Sequence, residues 1–243
     1  MYNAKKILAF IGARAGSKGF KDKNIADFAG KPLIHWTIQA AKESRHIDRV
    51  IVSTDGEEIA KIAQEAGADV PFLRPADLAR DESAIDDALR HGLQWLKSHD
   101  NDSYDYLVLL QPTSPLRTSR HIDQAIEQYF QNKKTDKDTL VSVYAASQKM
   151  GWLMEVKSSG YIDFCLDAMK NDKECRRQNL REYYLPNGAI YIASVKTLLD
   201  SGFYSGHAIA FIMAPNESID IDTLEDFQIS LDFFKKANDL SKV

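Results

Sequence analysis

The sequence predicts an α/β protein with a mainly parallel sheet. Two observations carry this: short apolar runs alternate with helical periodicity from the N-terminus onward, and the runs are continuous rather than alternating. Continuous runs suit strands covered on both faces, and a strand–helix–strand rhythm suits parallel strands joined by right-handed crossovers.

The elements follow in order. A first strand is expected at 7–11 and a helix at about 31–44. After a strand at 50–52, Ile59, Ile62, Ala63 and Ala66 recur at i, i+3, i+4 and i+7 and stop at Gly67, which marks a helix with one apolar stripe. Another helix is expected at about 85–97 and a strand at 107–110. Ile122, Ala125, Ile126, Tyr129 and Phe130 repeat the helical stripe, and a strand at 140–143 follows.

The rhythm then breaks. Met150, Trp152, Met154, Tyr161, Phe164 and Met169 are scattered among charges with neither period held. This predicts an inserted segment at 145–185 within a domain made of 1–144 and 186–243, and large apolar groups without a period suit a protein interface as well as a core. Strands at 189–192 and 208–212 resume the pattern. Leu224, Phe227, Leu231 and Phe234 close the chain as an amphipathic helix.

Composition narrows the function. A 243-residue chain that is 44% hydrophobic and 27% charged is neither disordered nor collagen-like. Its formal charge of −4 gives no global attraction to nucleic acid or to an anionic membrane. The two cysteines, Cys165 and Cys175, lack the spacing of a zinc site, exclude a disulfide scaffold and read as buried or half-buried thiols in a reducing cytoplasm. No signal-peptide core precedes Arg14 and no run of about 18 apolar residues occurs, so the chain reads as soluble.

The charge argument is therefore local. Residues 1–31 hold seven basic groups and two acidic ones, a net of +5. The first strand runs into Gly12-Ala13-Arg14-Ala15-Gly16-Ser17-Lys18-Gly19-Phe20-Lys21-Asp22-Lys23-Asn24. Three glycines allow close approach of the backbone to a ligand, and Arg14, Lys18 and Lys23 can neutralise a polyphosphate there. The glycine spacing is neither the dinucleotide fingerprint nor a P-loop, and a solvated surface turn is the alternative.

Two further patterns carry chemistry. Asp220 and Asp222 alternate with Ile219 and Ile221, so both carboxylates project to one side of an extended segment. They suit Mg²⁺ or, alternatively, the cap of a helix that starts near Thr223. Gln111-Pro112-Thr113-Ser114-Pro115-Leu116-Arg117 follows a strand, and its two prolines fix a polar loop that could read a base or a sugar edge, or be a mere turn.

The run 13–24, followed by Gly30-Lys31-Pro32-Leu33-Ile34, resembles the acylneuraminate cytidylyltransferases, which activate sialic acids as CMP sugars. Val52-Ser53-Thr54-Asp55, residues 74–79, 110–117, Pro186-Asn187-Gly188-Ala189-Ile190-Tyr191 and Ser218-Ile219-Asp220-Ile221-Asp222-Thr223 match in order. The resemblance implies a Rossmann-like nucleotidyltransferase fold with a small inserted dimerisation arm, and joining of CTP to a sialic acid, N-acetylneuraminate above all. It implies Mg²⁺ on Asp220 and Asp222, and catalytic roles for Arg14, Lys18, Lys23 and Asp222. Ala13, Arg14, Ser17, Lys18, Lys23, Asn24, Arg74 and Ser83 would face the nucleotide. Gln111, Arg177, Asn187, Tyr191, Phe203 and Tyr204 would face the sugar, with Arg177 offered across a homodimer that pairs through 145–185.

The chain departs from the family at two places: Gly12 stands where proline or another apolar residue is usual, and Trp152 stands near the place of a sugar-facing lysine, with Lys149 close by. A synthetase for legionaminate or another nonulosonate, and a non-catalytic sugar-nucleotide-binding protein of the same fold, are the other readings.

Overall fold

The computed structural model of the chain describes residues 2–16, 19–80, 82–147, 150, 152–165, 182–204 and 207–240. In chain order the elements are β1 (Ile7–Gly12), the short antiparallel pair β2 (Asp27–Phe28) and β3 (Lys31–Pro32), α1 (Leu33–Glu43), β4 (Arg49–Ser53), α2 (Glu57–Glu65), α3 (Ile85–Trp95) and β5 (Tyr106–Leu109). They continue with α4 (Ser119–Asn132), β6 (Thr139–Ala145), β7 (Met154–Val156), β8 (Ile162–Phe164), β9 (Tyr184–Ser194), α5 (Val195–Ser201), β10 (Ala208–Met213) and α6 (Leu224–Leu240). All six strands expected from the apolar runs join one sheet, in the order β10-β6-β9-β5-β1-β4.

The continuous run of β1 is explained by its two neighbours in depth. Ile7, Ala9 and Ile11 enter the core under α1, α2 and α4, whereas Leu8 and Phe10 pack on the other face with Leu89 of α3 and Leu198 of α5. Each of the five is at most 1% exposed, so alternate side chains find a full apolar layer on either side. The helical stripes behave as their spacing predicts: Ile59 and Ala63 of α2, and Ile122, Ala125, Ile126 and Tyr129 of α4, are buried.

β9 is antiparallel to both β5 and β6, whereas the β1–β4, β1–β5 and β10–β6 pairs are parallel. Its beginning, with Asn187 and Gly188, therefore arrives at the sheet edge where β1, β4, β5, β6 and β10 end. β1 is flanked by β4 on one side and by β5 on the other, which makes its carboxyl end the switch point at which an open α/β sheet forms a ligand crevice.

The segment predicted at 145–185 contains the β7–β8 hairpin, a two-stranded sheet of its own. Leu153, Met154, Val156, Tyr161 and Ile162 are exposed there. β9 begins at Tyr184, five residues before the strand expected at 189, and α5 is a short helix that the periodicity did not announce. Cys165 is exposed, because it follows the last residue of this hairpin and meets no core; Cys175 lies outside the described residues.

Candidate active site

A cavity of about 640 Å³ opens at the switch point, lined by Gly12, Arg14, Gly19, Lys23, Asn24, Ile85, Leu109, Gln111, Pro112, Thr113, Asp220 and Asp222. The glycine-rich loop forms one wall. Its stem is held from two sides: Asp55 accepts the Ala15 amide at 2.8 Å, and the Asn24 side chain donates to the Arg14 carbonyl at 3.1 Å. Ala13 is buried, with its amide on the Ser53 carbonyl. Ser17 and Lys18 lie outside the described residues.

The far end of that loop rests on the acidic pair. A β-carbon on Gly19 would lie 2.6 Å from the Asp222 carbonyl oxygen, a distance only glycine permits. Lys23 runs inward beneath the loop, with its ammonium bonded to the Ile221 carbonyl at 2.5 Å and the Asp222 carboxylate at 3.1 Å. The lysine is nearly buried while Asp222 is largely exposed, so this pair fixes the carboxylate at the cavity wall without removing it from solvent.

The alternative reading of the two aspartates as helix caps is decided by the geometry at α6. Thr223 accepts the Asp226 amide, and Asp226 accepts the Thr223 amide at 2.9 Å, a reciprocal cap that engages neither carboxylate of the pair. Asp220 is half-buried. Burial raises its pKa, the nearby Asp222 charge adds to the rise, and a hydrogen bond from Thr113 opposes it. Among the described residues its Oδ1 is buried without a hydrogen-bond partner. An orphaned carboxylate oxygen beside a second, exposed carboxylate is a hard, anionic, all-oxygen donor set that fits Mg²⁺. Among the described residues no cluster of three or more acidic, histidine or cysteine groups occurs, so further ligands would be water or substrate phosphate.

Gln111 stands at the end of β5 and lines the cavity as expected. The loop that follows is tied to the aspartate segment, since the Thr113 carbonyl accepts the Ile221 amide at 2.9 Å. Gly188 faces Gln111 in a left-handed conformation, φ 72°, where a β-carbon would also collide with Gln111 Oε1.

Arg74 is buried against the back of the loop, its guanidinium on the Ser53 side chain at 3.0 Å and the Ser53 carbonyl at 2.5 Å. Burial lowers its pKa, Asp55 opposes this and Arg14 adds to it. The departure at Gly12 has a steric consequence: a side chain there would meet Ile85 Cδ1 at 2.9 Å and the Arg74 guanidinium at 3.4 Å.

Other expected residues take different places. Ser83 accepts the Arg80 amide and donates to the Asp77 carbonyl, which closes the turn before α3 instead of lining the cavity. The Asn187 side chain, expected at the sugar pocket, is 1% exposed and spent entirely inside: it donates to Ser218 and the Met213 sulfur and accepts from Ser142 and the Ala189 amide. It ties β6, β9 and the segment before Asp220 together. Tyr191 and Phe203 are buried with ring centroids 5.4 Å apart, and the exposed Tyr204 lies 6.2 Å from Tyr191. Burial, then the Tyr204 hydroxyl, push the Tyr191 phenol upward. Arg177 and Lys149 lie outside the described residues, and Trp152 is exposed beside the hairpin.

Sequence reasoning gave no role to Asp55, Thr113, Ile85 or Arg117. Asp55 and Thr113 stand inside motifs that carried the resemblance, and that was the only signal for them.

Together these features define an α/β protein with a basic glycine-rich loop and paired carboxylates facing one crevice, suited to a phosphorylated ligand and a divalent cation. The chain belongs to the cytidylyltransferase family, whose model matches residues 8–233. It is 39% identical over 225 residues to an N-acylneuraminate cytidylyltransferase of Streptococcus agalactiae, covering 91% of this chain and 52% of the relative. It is also 39% identical over 227 residues to a CMP-N,N'-diacetyllegionaminic acid synthase of Legionella pneumophila, covering 93% and 94%. The chain thus spans about half the length of the streptococcal relative and nearly all of the Legionella one. A solved CMP:2-keto-3-deoxy-manno-octonic acid synthetase complexed with CTP has the same fold, with a TM-score of 0.72, 16% identity and coverage of 96% of this chain and 99% of that one.

Proposed function

We propose that the chain joins CTP to a nonulosonic acid of the sialic acid class, N-acetylneuraminate above all, releasing pyrophosphate and the CMP sugar. The observation that carries this reading is the convergence of Arg14 and Lys23 with Asp220 and Asp222 on one cavity whose wall also carries the apolar Gly12, Ile85 and Leu109. The apolar end suits the flat face of a base and the charged end a triphosphate. CTP rather than another nucleotide is supported by the family.

In this mechanism the anomeric hydroxyl attacks the α-phosphorus in line and pyrophosphate leaves, with no covalent intermediate on the protein. Arg14 and Lys18 neutralise the phosphates. Lys23 holds Asp222 in place and adds positive charge beneath the phosphates. Asp220 and Asp222 would hold Mg²⁺, which when bound supplies charge neutralisation at the phosphates and acidifies a hydroxyl that it touches. Gln111, Tyr191, Phe203 and Tyr204 form the sugar side, and Asn187 supports it from within through the hydrogen bonds that fix β9. A nucleoside-triphosphate substrate and the exposed thiol of Cys165 suit the cytoplasm. Among the described residues no helix is long and apolar enough to cross a membrane.

The equal identity to the Legionella relative favours legionaminate as the second reading. A panel of nonulosonic acids with CTP and Mg²⁺, read by pyrophosphate release, tests both. The expected result is turnover of N-acetylneuraminate and a loss of about 10²-fold or more in Asp222→Ala, the scale of removing a charge stabiliser at the reacting phosphate. Turnover of legionaminate alone moves the assignment to the second reading. Release unaffected by Asp222→Ala removes the aspartate pair from the mechanism.

A further inference from the structure

The antiparallel ladder of β5 and β9 pairs Tyr106 with Ser194 and ends with Leu109 opposite Tyr191. Continued in the same register, it would set Gln111 opposite Ala189. The guanidinium of Arg117 stands between these two residues instead: one Nη1 donates to the Gln111 carbonyl at 3.1 Å and to the Ala189 carbonyl at 3.0 Å. The other terminal nitrogen donates to Thr37 Oγ1 of α1 at 2.6 Å. Arg117 is 2% exposed, and among the described residues no carboxylate forms an ion pair with it. Its charge is spread over peptide and hydroxyl oxygens, and burial lowers its pKa to about 9.

A buried guanidinium without an anion is costly, and here the cost is offset by its bonds to two carbonyls and a hydroxyl where the ladder ends, although the Gln111 carbonyl also accepts the Ser114 amide at 3.4 Å and the Thr37 hydroxyl at 3.5 Å. The place where the strands part is also the place where Gln111 and Gly188 face one another, with Asp220 Oδ2 only 3.2 Å from where a β-carbon on Gly188 would stand. A small change in strand separation there moves Gln111 relative to Gly188 and Asp220 together. The glycine-rich loop, which follows β1, is held by Asp55 and Asn24 instead.

We propose that Arg117 is a positioning residue, a planar wedge that holds β5 and β9 apart at the edge of the sheet and sets Gln111 against Gly188 for the incoming sugar acid. This rests on the reading of Gln111 as a sugar contact. Only a fork spans the two carbonyls and Thr37 at once; a lysine ends short of it.

The test compares Arg117→Lys with Thr37→Val, which removes only the hydroxyl partner, and with Thr37→Ser, which keeps it. Expected for Arg117→Lys is a KM for the sugar acid raised at least tenfold with the KM for CTP within threefold. Thr37→Val moves the same constant by about threefold and Thr37→Ser restores it. Amide exchange, which needs no turnover, is expected to rise at least tenfold in 110–116 and 187–191 and to stay within threefold in β1 and β4. If Arg117→Lys does not fold, the Thr37 pair and its exchange pattern decide alone. Both KM values moving together with the melting temperature, or exchange that is unchanged or rises uniformly across the sheet, overturns the wedge. Wild-type protein inactive on every nonulosonic acid, with the local exchange pattern present, overturns the sugar reading of Gln111 and leaves the wedge standing.

Discussion

Gly19 shows how closely the glycine-rich loop and the acidic pair are fitted, because the space for its side chain is already filled by the Asp222 backbone. A backbone oxygen cannot rotate away as a side chain can, so Gly19→Ala displaces either the loop or Asp222. Overpacking of this kind costs about 1–3 kcal/mol, which predicts a fall in kcat/KM for CTP of about tenfold or more with the far-UV spectrum unchanged. Wild-type kinetics in the alanine variant would show that the loop and Asp222 move independently. Much of the site at this scale was legible in the sequence. Arg14, Lys23, Gln111, Asp220 and Asp222 converge on one cavity as their motifs implied. Asn187 and Ser83 were legible as motif positions but not as roles, because whether a polar side chain faces a ligand or its own backbone depends on neighbours far away in sequence. Arg117 shows the same limit: two of its three partners, Thr37 and Ala189, lie 80 and 72 residues away.

At the scale of elements, strands and long amphipathic helices were legible because each carries its own period over several residues. The direction of β9 was not, since an apolar run buried on both faces reads the same in either orientation. α5 has only seven residues, too few for two turns of periodicity, but it has a local signal in its cap. Ser194 accepts the Thr197 amide at 3.0 Å and donates within the same turn. Ser194→Ala is expected to cost about 1 kcal/mol, the usual worth of such a cap. For a chain of this size that is a loss of about 2–4 °C in melting temperature, measured by calorimetry, with kcat unchanged because α5 lies outside the cavity lining. A melting temperature that does not move would assign the stability of α5 to packing alone.

At the scale of the molecule, the exposed apolar face of the β7–β8 hairpin calls for a partner surface, and we propose that 145–185 pairs two copies of the chain. Val156 and Ile162, paired across the hairpin, are 76% and 61% exposed, and contiguous exposed apolar groups mark interaction surfaces. Light scattering at micromolar concentration is expected to give twice the chain mass, and Val156→Asp with Ile162→Asp to halve it. A wild-type monomer would leave the hairpin unpaired and return Arg177 to its own subunit.

Transfer of a cytidylyl group to a sugar acid in this cavity, as proposed, is tested most directly by CTP labelled at the α-phosphate. With N-acetylneuraminate and Mg²⁺, label is expected to appear in a CMP–sugar conjugate at the rate of pyrophosphate release, one for one. Label that remains in CTP with every nonulosonic acid supplied, or that passes only to free CMP without a conjugate, would contradict it.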